Sequence, residues 1–213
     1  MKFNISHKTK KLFILSGIIG PIIYFTIMIL LGFFEPGYDH ISQSMSELGA
    51  MGANYAIIMN TLGFPLLGFL LICFTIGLHY TIPTGKLTLL GPCLIIISNI
   101  SLILTGVFRC DPGCVDITIV GVTHSIFATI AAILMMISPI ALTPRIYKDP
   151  VWSRYIWFFW VISIMTSIFS LFYTLPSFEA YNGILQKISM GIPLFWIEVM
   201  AVRLFRLSMN TNQ

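Results

Sequence analysis

The chain has 213 residues, of which 57% are hydrophobic and only 9% are charged, and its formal net charge is +4. So little polar surface cannot coat a water-soluble globule of this size, so the composition excludes that class and predicts a protein solvated by lipid. The positive charge is accounted for by membrane topology and contact with anionic lipid, and it does not indicate nucleic-acid binding.

Six apolar runs are long enough to cross the hydrocarbon core, which requires about 20 residues. The first could be mistaken for a secretory signal, but it is too long and lacks a small-residue cleavage site, so it is expected to stay as helix one. The connections are short, which predicts a single all-α domain over residues 1–213, an up-and-down bundle of six transmembrane helices. The predicted spans are 12–34, 55–78, 87–108, 117–142, 155–175 and 184–205.

The cationic residues predict the orientation, because Lys and Arg are retained on the cytoplasmic side during insertion. With both termini inside, only Arg109 and Lys187 fall on the outer side. We therefore expect a multi-pass protein of a cell membrane with cytoplasmic N- and C-termini. The residues expected inside are Lys2, Lys8, Lys10, Lys11, Lys86, Arg145, Lys148, Arg154, Arg203 and Arg206.

The first outer segment, residues 39–49, is predicted to form a short helix whose apolar face contains Ile41, Met45 and Leu48. Ser44 and Glu47 fit a capping box, in which a hydroxyl and a carboxylate each satisfy a free backbone N–H. The alternative is that the polar side chains of this segment face a ligand cavity. Those side chains are Asp39, His40, Ser42, Ser46 and Glu47.

The second outer loop contains Cys110 and Cys114 on either side of a Pro-Gly turn, which brings the two thiols close together. A disulfide across so short a loop contributes only roughly 2 kcal/mol by chain entropy, so its expected use is to fix the position of Asp111. Redox chemistry and thiolate coordination of a metal remain alternatives. Redox pairs usually have two intervening residues, whereas this loop has three.

Two ionisable residues within the predicted spans lie toward the outer side. His124 lies about two turns into helix four and should sit beneath the loop that carries Asp111; ionisable groups inside a membrane are functional candidates by default. Lys187, next to Gln186 at the start of helix six, could snorkel to the headgroups, neutralise Asp111 or Glu47, or bind a lipid phosphate.

These motifs together resemble the prokaryotic membrane family known as domain of unknown function 998. The resemblance covers roughly residues 12–206 and rests on SQSMSELGA, on Phe-Arg-Cys-Asp-Pro-Gly-Cys, on the His inside helix four and on Gly-Ile-Leu-Gln-Lys. The family often has Arg where Lys187 stands, which keeps the charge but alters bidentate binding. The resemblance implies six spans and no known activity. It also implies the same polar set, namely Ser42, Ser46, Glu47, Cys110, Asp111, Cys114, His124, Gln186 and Lys187.

Three functions remain open at this point. In an enzyme acting on outer-leaflet lipid, Glu47, Asp111 and His124 would be catalytic, either as acid and base or as ligands of zinc or another divalent metal. In a binding or transport protein, polar and cationic side chains on the outer side would hold a lipid headgroup. In a structural or regulatory protein the polar loops would only lock the bundle. The sequence does not fix the metal, the substrate or the oligomeric state. The headgroup-binding candidates are Ser42, Ser46, Arg109, Gln186 and Lys187.

Overall fold

The computed structural model describes residues 5–82, 89–147, 149 and 152–210, so Lys2, Lys86 and Lys148 lie outside the described residues. This part of the chain is helical and contains no strand. The six long helices are α1 (His7–Phe34), α2 (Ala56–Thr81), α3 (Leu90–Val107), α4 (Ile119–Ile146), α5 (Ile156–Thr174) and α6 (Asn182–Asn210). Short 3-10 helices lie in the connections, and α2 contains one π turn, Met59–Gly63.

Each of the six helices is long and apolar enough to cross a membrane, so this is a multi-pass membrane protein. The helices overlap the six predicted runs and differ from them mainly at the ends. Helix α1 begins at His7 rather than at residue 12, because the Ser6 hydroxyl accepts the Thr9 N–H at 3.1 Å and starts the helix earlier. Helix α4 continues to Ile146 rather than residue 142, with Pro139 and Pro144 inside it.

The helices form a closed ring in which each one packs against its neighbours in sequence and α6 packs against α1. This connectivity is an up-and-down bundle, and it brings both chain termini to the same end. Side-chain hydroxyls join adjacent helices: Ser16 donates to the Leu70 carbonyl and Ser98 to the Ala131 carbonyl, each at 2.7 Å. At Gly68 a Cβ would lie 2.7 Å from the carbonyl oxygen of Asn99, so α2 and α3 approach too closely for a larger residue.

The two ends of the ring differ in charge and in structure. The end that contains both termini, here called the basic end, holds most of the described Lys and Arg residues. There the buried Arg145 donates through Nη2 to the carbonyls of His79 and Ile82, each at 2.6 Å, and so satisfies the end of α2. The opposite end, the loop end, consists of residues 35–55, 108–118 and 175–181. It contains the predicted site residues except His124, Gln186 and Lys187, which lie near the starts of α4 and α6.

Candidate functional site

The first loop-end segment begins with a turn over residues 39–43 that Asp39 closes. Its carboxylate accepts the Ser42 hydroxyl at 2.6 Å and the N–H groups of Ile41 and Ser42 at 3.2 and 3.0 Å. The Ser42 hydroxyl, together with these backbone N–H groups, lowers the pKa of Asp39 below its ordinary value. Ser42, a predicted headgroup ligand, is thus exposed and its hydroxyl is bonded within the turn.

A 3-10 helix, Met45–Gly49, follows this turn, so the single helix predicted over residues 39–49 is wrong. The chain is extended at Ser44 (φ −70°, ψ 155°), which separates the turn from the 3-10 helix. Consequently only part of the predicted apolar face is buried: Ile41 is 51% exposed, whereas the other two members are buried.

Glu47 stabilises the start of this 3-10 helix. One carboxylate oxygen accepts the Ser44 N–H at 2.8 Å and the other accepts the Gln43 side-chain amide at 2.8 Å. The Ser44 and Glu47 side chains are arranged as in a capping box, but only the Glu47 half forms a hydrogen bond: the Ser44 hydroxyl has no partner among the described residues, and the Glu47 N–H donates to the Ser44 carbonyl at 3.2 Å. Both carboxylate oxygens of Glu47 therefore serve the local backbone and a neighbouring side chain.

Lys187 joins the turn at residues 39–43 to the start of α6. It is 9% exposed, and its ammonium lies 5.4 Å from the centroid of the Tyr38 ring. An ammonium group has three donors, so the hydrogen bonds it makes here use all of them. The sequence had suggested that Lys187 could snorkel to the headgroups or neutralise Asp111 or Glu47. In the structure its ammonium is buried and forms an ion pair with neither carboxylate. The acceptors are the backbone carbonyls of His40 (2.9 Å), Gln43 (3.0 Å) and Gly183 (3.1 Å).

Gln186 and Arg109 have contrasting surroundings. The side-chain oxygen of Gln186 accepts the Met45 N–H at 2.6 Å, and its amide lies 3.5 Å from the Tyr173 hydroxyl. Gln186 thus anchors the 3-10 helix to α6 from inside the ring. Arg109 is exposed on the second loop.

Asp111 organises the start of α4. Its buried carboxylate accepts the N–H groups of Ile117 and Thr118 at 2.9 and 2.7 Å and the Thr118 hydroxyl at 2.9 Å. The Thr118 N–H contributes most to lowering the pKa of Asp111 below its ordinary value, and the Thr118 hydroxyl and Ile117 N–H act in the same direction. A Cβ on Gly121 would collide with this carboxylate, so the first turn of α4 has no space for a side chain there.

The second loop contains a disulfide between Cys110 and Cys114, and His124 lies beside it. Cys110 is buried, and its sulfur lies 3.3 Å from the Ser46 carbonyl oxygen. Cys114 has φ 51° and is the one non-glycine residue with positive φ in the described chain. His124 is 3% exposed, and its Nδ1 lies 2.9 Å from the Thr105 carbonyl and 2.8 Å from the Phe108 carbonyl.

A cavity of about 130 Å³ lies inside the ring beneath the loop end. All the long helices except α1 contribute to its wall, together with the 3-10 helix Met45–Gly49. Its lining is mostly apolar, and among the described residues it contains uncharged polar side chains but no charged ones. The polar lining residues are Ser46, Ser98, Thr105, Thr166, Ser170, Gln186 and Ser189.

Comparison with known proteins gives the family. A family model described as "Protein of unknown function (DUF998)" matches residues 18–203. The chain belongs to the DUF998 family. Searches of curated proteins and of solved structures returned no match to this DUF998 protein.

In this DUF998 protein the three predicted catalytic residues make no hydrogen bond with one another. Glu47 supports the 3-10 helix, Asp111 the start of α4, and His124 the end of α3. The residues that do lie together are His124 and the two cysteines, which offer ligand atoms within 4.8 Å of one another. No hydrogen bond thus joins the three predicted catalytic residues, and the ligand atom of His124 lies beside those of the two cysteines.

The sequence predicted two of the polar lining residues, Ser46 and Gln186, as headgroup ligands, but it did not indicate the cavity itself. The remaining polar lining residues are hydroxyl side chains inside apolar runs, and none of them was predicted as a site residue. Asn60 was also missed: it is 7% exposed and donates to the Gly49 carbonyl at 2.6 Å, which holds the 3-10 helix against α2. An amide inside an apolar run was the available signal, since polar side chains in hydrocarbon require partners.

Proposed function

We propose that this protein binds a neutral membrane amphiphile in the cavity beneath the loop end, without catalysing its conversion. The observation that carries the proposal is the combination of an internal cavity of about 130 Å³ with a lining that is apolar and polar but uncharged. Such sites bind apolar groups through most of their wall and orient them through a few polar groups. The partner would be a lipid of the surrounding membrane.

The hydroxyls around the cavity favour a ligand that donates hydrogen bonds. Thr166 donates to the Ile162 carbonyl at 2.8 Å and Ser189 to the Gln186 carbonyl at 2.9 Å. Each hydroxyl hydrogen is thereby used within its own helix, while oxygen lone pairs remain available. A ligand hydroxyl or amide is therefore the expected polar group.

The size of the cavity limits how much of the ligand enters. It is comparable to the cavity of roughly 150 Å³ that accommodates benzene in an engineered protein core. Ala132 both lines the cavity and is exposed, which supports an opening beside α4 toward the surrounding lipid. We infer that the polar group and first carbons of the amphiphile enter there, while its chains remain in the bilayer.

An anionic headgroup at the loop end is less well supported than a neutral one in the cavity. The three donors of Lys187 are bonded to backbone carbonyls, so a phosphate would have to displace protein contacts. Arg109 is exposed and does not line the cavity. Electrostatic attraction of anionic lipid by Arg109 would then act on the surface only.

The orientation belongs to the same proposal. We infer that the basic end faces the cytoplasm of a prokaryotic cell and that the loop end faces outward, because insertion retains Lys and Arg inside. A C-terminal green fluorescent protein fusion should then fluoresce in a bacterial host, and the matching alkaline phosphatase fusion should be inactive. An active phosphatase fusion would reverse the orientation.

Native mass spectrometry of protein extracted in mild detergent tests the binding proposal. Wild-type protein should retain a neutral lipid, and Ala128→Leu, which fills the cavity wall, should lose at least nine-tenths of it. Thr129→Leu is the matched control, since the adjacent residue is exposed and lies outside the cavity lining. Equal retention by both variants, or retention only of anionic lipids, would contradict the proposal.

A further inference from the structure

The environment of His124 leaves one ring nitrogen without a protein partner. Both groups near Nδ1 are carbonyl oxygens, those of Thr105 and Phe108, so Nδ1 must carry the hydrogen. Nε2 then has a lone pair, and it is buried with no hydrogen-bond partner in the described chain. An imidazole held through Nδ1–H to a backbone carbonyl is the usual arrangement of a metal-binding histidine.

The two sulfurs of the second loop lie close to this imidazole. Ligand atoms of Cys110, Cys114 and His124 all lie within 4.8 Å of one another. In a tetrahedral zinc site, bond lengths of about 2.3 Å to sulfur and 2.0 Å to nitrogen place neighbouring ligand atoms roughly 3.5–3.8 Å apart. Small movements of the loop would therefore bring the three side chains to coordination distance.

We propose that reduction of the Cys110–Cys114 disulfide creates a binding site for one thiophilic divalent cation of the zinc class. A dithiol reductant transfers two electrons and two protons to the S–S bond, giving two thiols and its own cyclic disulfide. The cation then displaces both thiol protons to water and binds two thiolates, while His124 contributes the Nε2 lone pair without losing a proton. Water completes a four-coordinate site.

The loop is suited to exchange between these two states. Cys114 has a positive φ although it is not a glycine. This backbone conformation is unfavourable, and the other contacts of the closed loop must compensate for its free-energy cost. The Cys110 sulfur lies 3.3 Å from the carbonyl oxygen of Ser46, a residue that lines the cavity, so the thiol formed on reduction has a hydrogen-bond acceptor there. The cation site would thus lie beside the cavity but share no ligand with it, so its existence does not depend on amphiphile binding.

Cobalt titration of the full chain tests the site. In a Cys73→Ser/Cys93→Ser background only the loop cysteines remain, and the dithiol is removed without oxygen before Co²⁺ is added. We expect one Co²⁺ per reduced chain with thiolate-to-cobalt charge-transfer absorption, and none per oxidised chain. His124→Gln should weaken binding at least tenfold. His40→Gln should not, although His40 Nε2 is likewise buried and unpartnered.

The proposal fails if the reduced protein binds no stoichiometric Co²⁺, or if His124→Gln binds as tightly as His40→Gln. If His124→Gln does not fold, X-ray absorption of the reduced wild-type protein loaded with Zn²⁺ decides the question. The predicted first shell contains two sulfur atoms and at least one imidazole nitrogen. A shell without imidazole, or with a single sulfur, would overturn the assignment.

Discussion

The charged residues of the loop end and the uncharged polar residues of the cavity contribute to the protein in different ways. Glu47, Asp111 and Lys187 each use their hydrogen-bonding capacity on backbone groups of the protein itself. Gln186 and Ser46, in contrast, face a space that no protein atom fills. The charged residues most conspicuous in the sequence therefore maintain the architecture, whereas uncharged residues surround the available volume, two of which, Ser46 and Gln186, the sequence had also indicated.

This difference has a physical cause. A charged side chain at a membrane interface is stable only when it stays hydrated or when ligands or protein dipoles replace its hydrating water. Three short loops have many backbone groups without helical partners, and the charged side chains satisfy them. Uncharged hydroxyls have a lower desolvation cost, and a hydrogen bond to a carbonyl of their own helix, as at Thr166 and Ser189, stabilises them in a cavity wall.

The largest expected effect is at Lys187. Lys187→Met keeps the aliphatic stem but removes a donor from three carbonyls, of which that of Gln43 also accepts the Tyr38 hydroxyl. Hydrogen bonds to charged groups contribute about 1.5–3 kcal/mol each, but the variant also avoids the cost of burying a charge, so we expect a net loss of about 3 kcal/mol. Arg109→Met is the matched control at an exposed cation and should change stability little. Unfolding in detergent measures both. If the two variants are similarly stable, the hydrogen bonds of Lys187 do not stabilise the fold more than the exposed Arg109 does.

Asp111 should produce a smaller effect that depends on pH. Its folded pKa lies below the ordinary aspartate value of about 3.9, so its contribution is complete above that pH and is lost as pH falls through the folded pKa. The melting temperature of the wild type should therefore decline below about pH 4. Asp111→Asn should melt lower at pH 7 and lack this part of the acid-dependent decline.

Asp116→Asn serves as the control for that experiment. Asp116 is exposed and accepts the Ser125 hydroxyl at 2.6 Å, so its loss removes one surface hydrogen bond rather than a buried set. If Asp116→Asn lowers the melting temperature as much as Asp111→Asn does, the buried bonds at the start of α4 are not what makes Asp111 important.

The smallest effect is expected at Glu47. Glu47→Gln retains an oxygen that can accept the Ser44 N–H, and glutamine is an accepted residue in a capping box. Its amide group cannot accept the Gln43 side-chain N–H, so one hydrogen bond is lost and stability should fall by about 1 kcal/mol. Lipid retention in native mass spectrometry should be unchanged. Loss of lipid with unchanged stability would instead make the Glu47 carboxylate part of the binding site.

The number and approximate position of the helices could be predicted because the bilayer imposes a length of about 20 apolar residues on each span. The helix ends were less predictable, since they depend on local contacts. Ser6 extends α1 at its start, and the extended backbone at Ser44 interrupts the helix predicted across residues 39–49.

The sequence also located the polar end, but it did not indicate which polar groups are free. The hairpin of α3 and α4 correctly suggested that His124 lies beneath the second loop. It could not reveal that the partners of Lys187 are carbonyls, because backbone groups have no signature in the sequence. The cavity was equally hidden, since it arises from the packing of helices far apart in the chain.

A cryo-electron microscopy structure of the protein in nanodiscs of its native lipid tests the central claim most directly. We predict density for a bound amphiphile in the cavity, within hydrogen-bond distance of Gln186 or Ser46 and continuous with the lipid beside Ala132. Lys187 should still contact the three backbone carbonyls. A cavity without such density, together with a lipid headgroup bound to Lys187 and Arg109, would contradict the account.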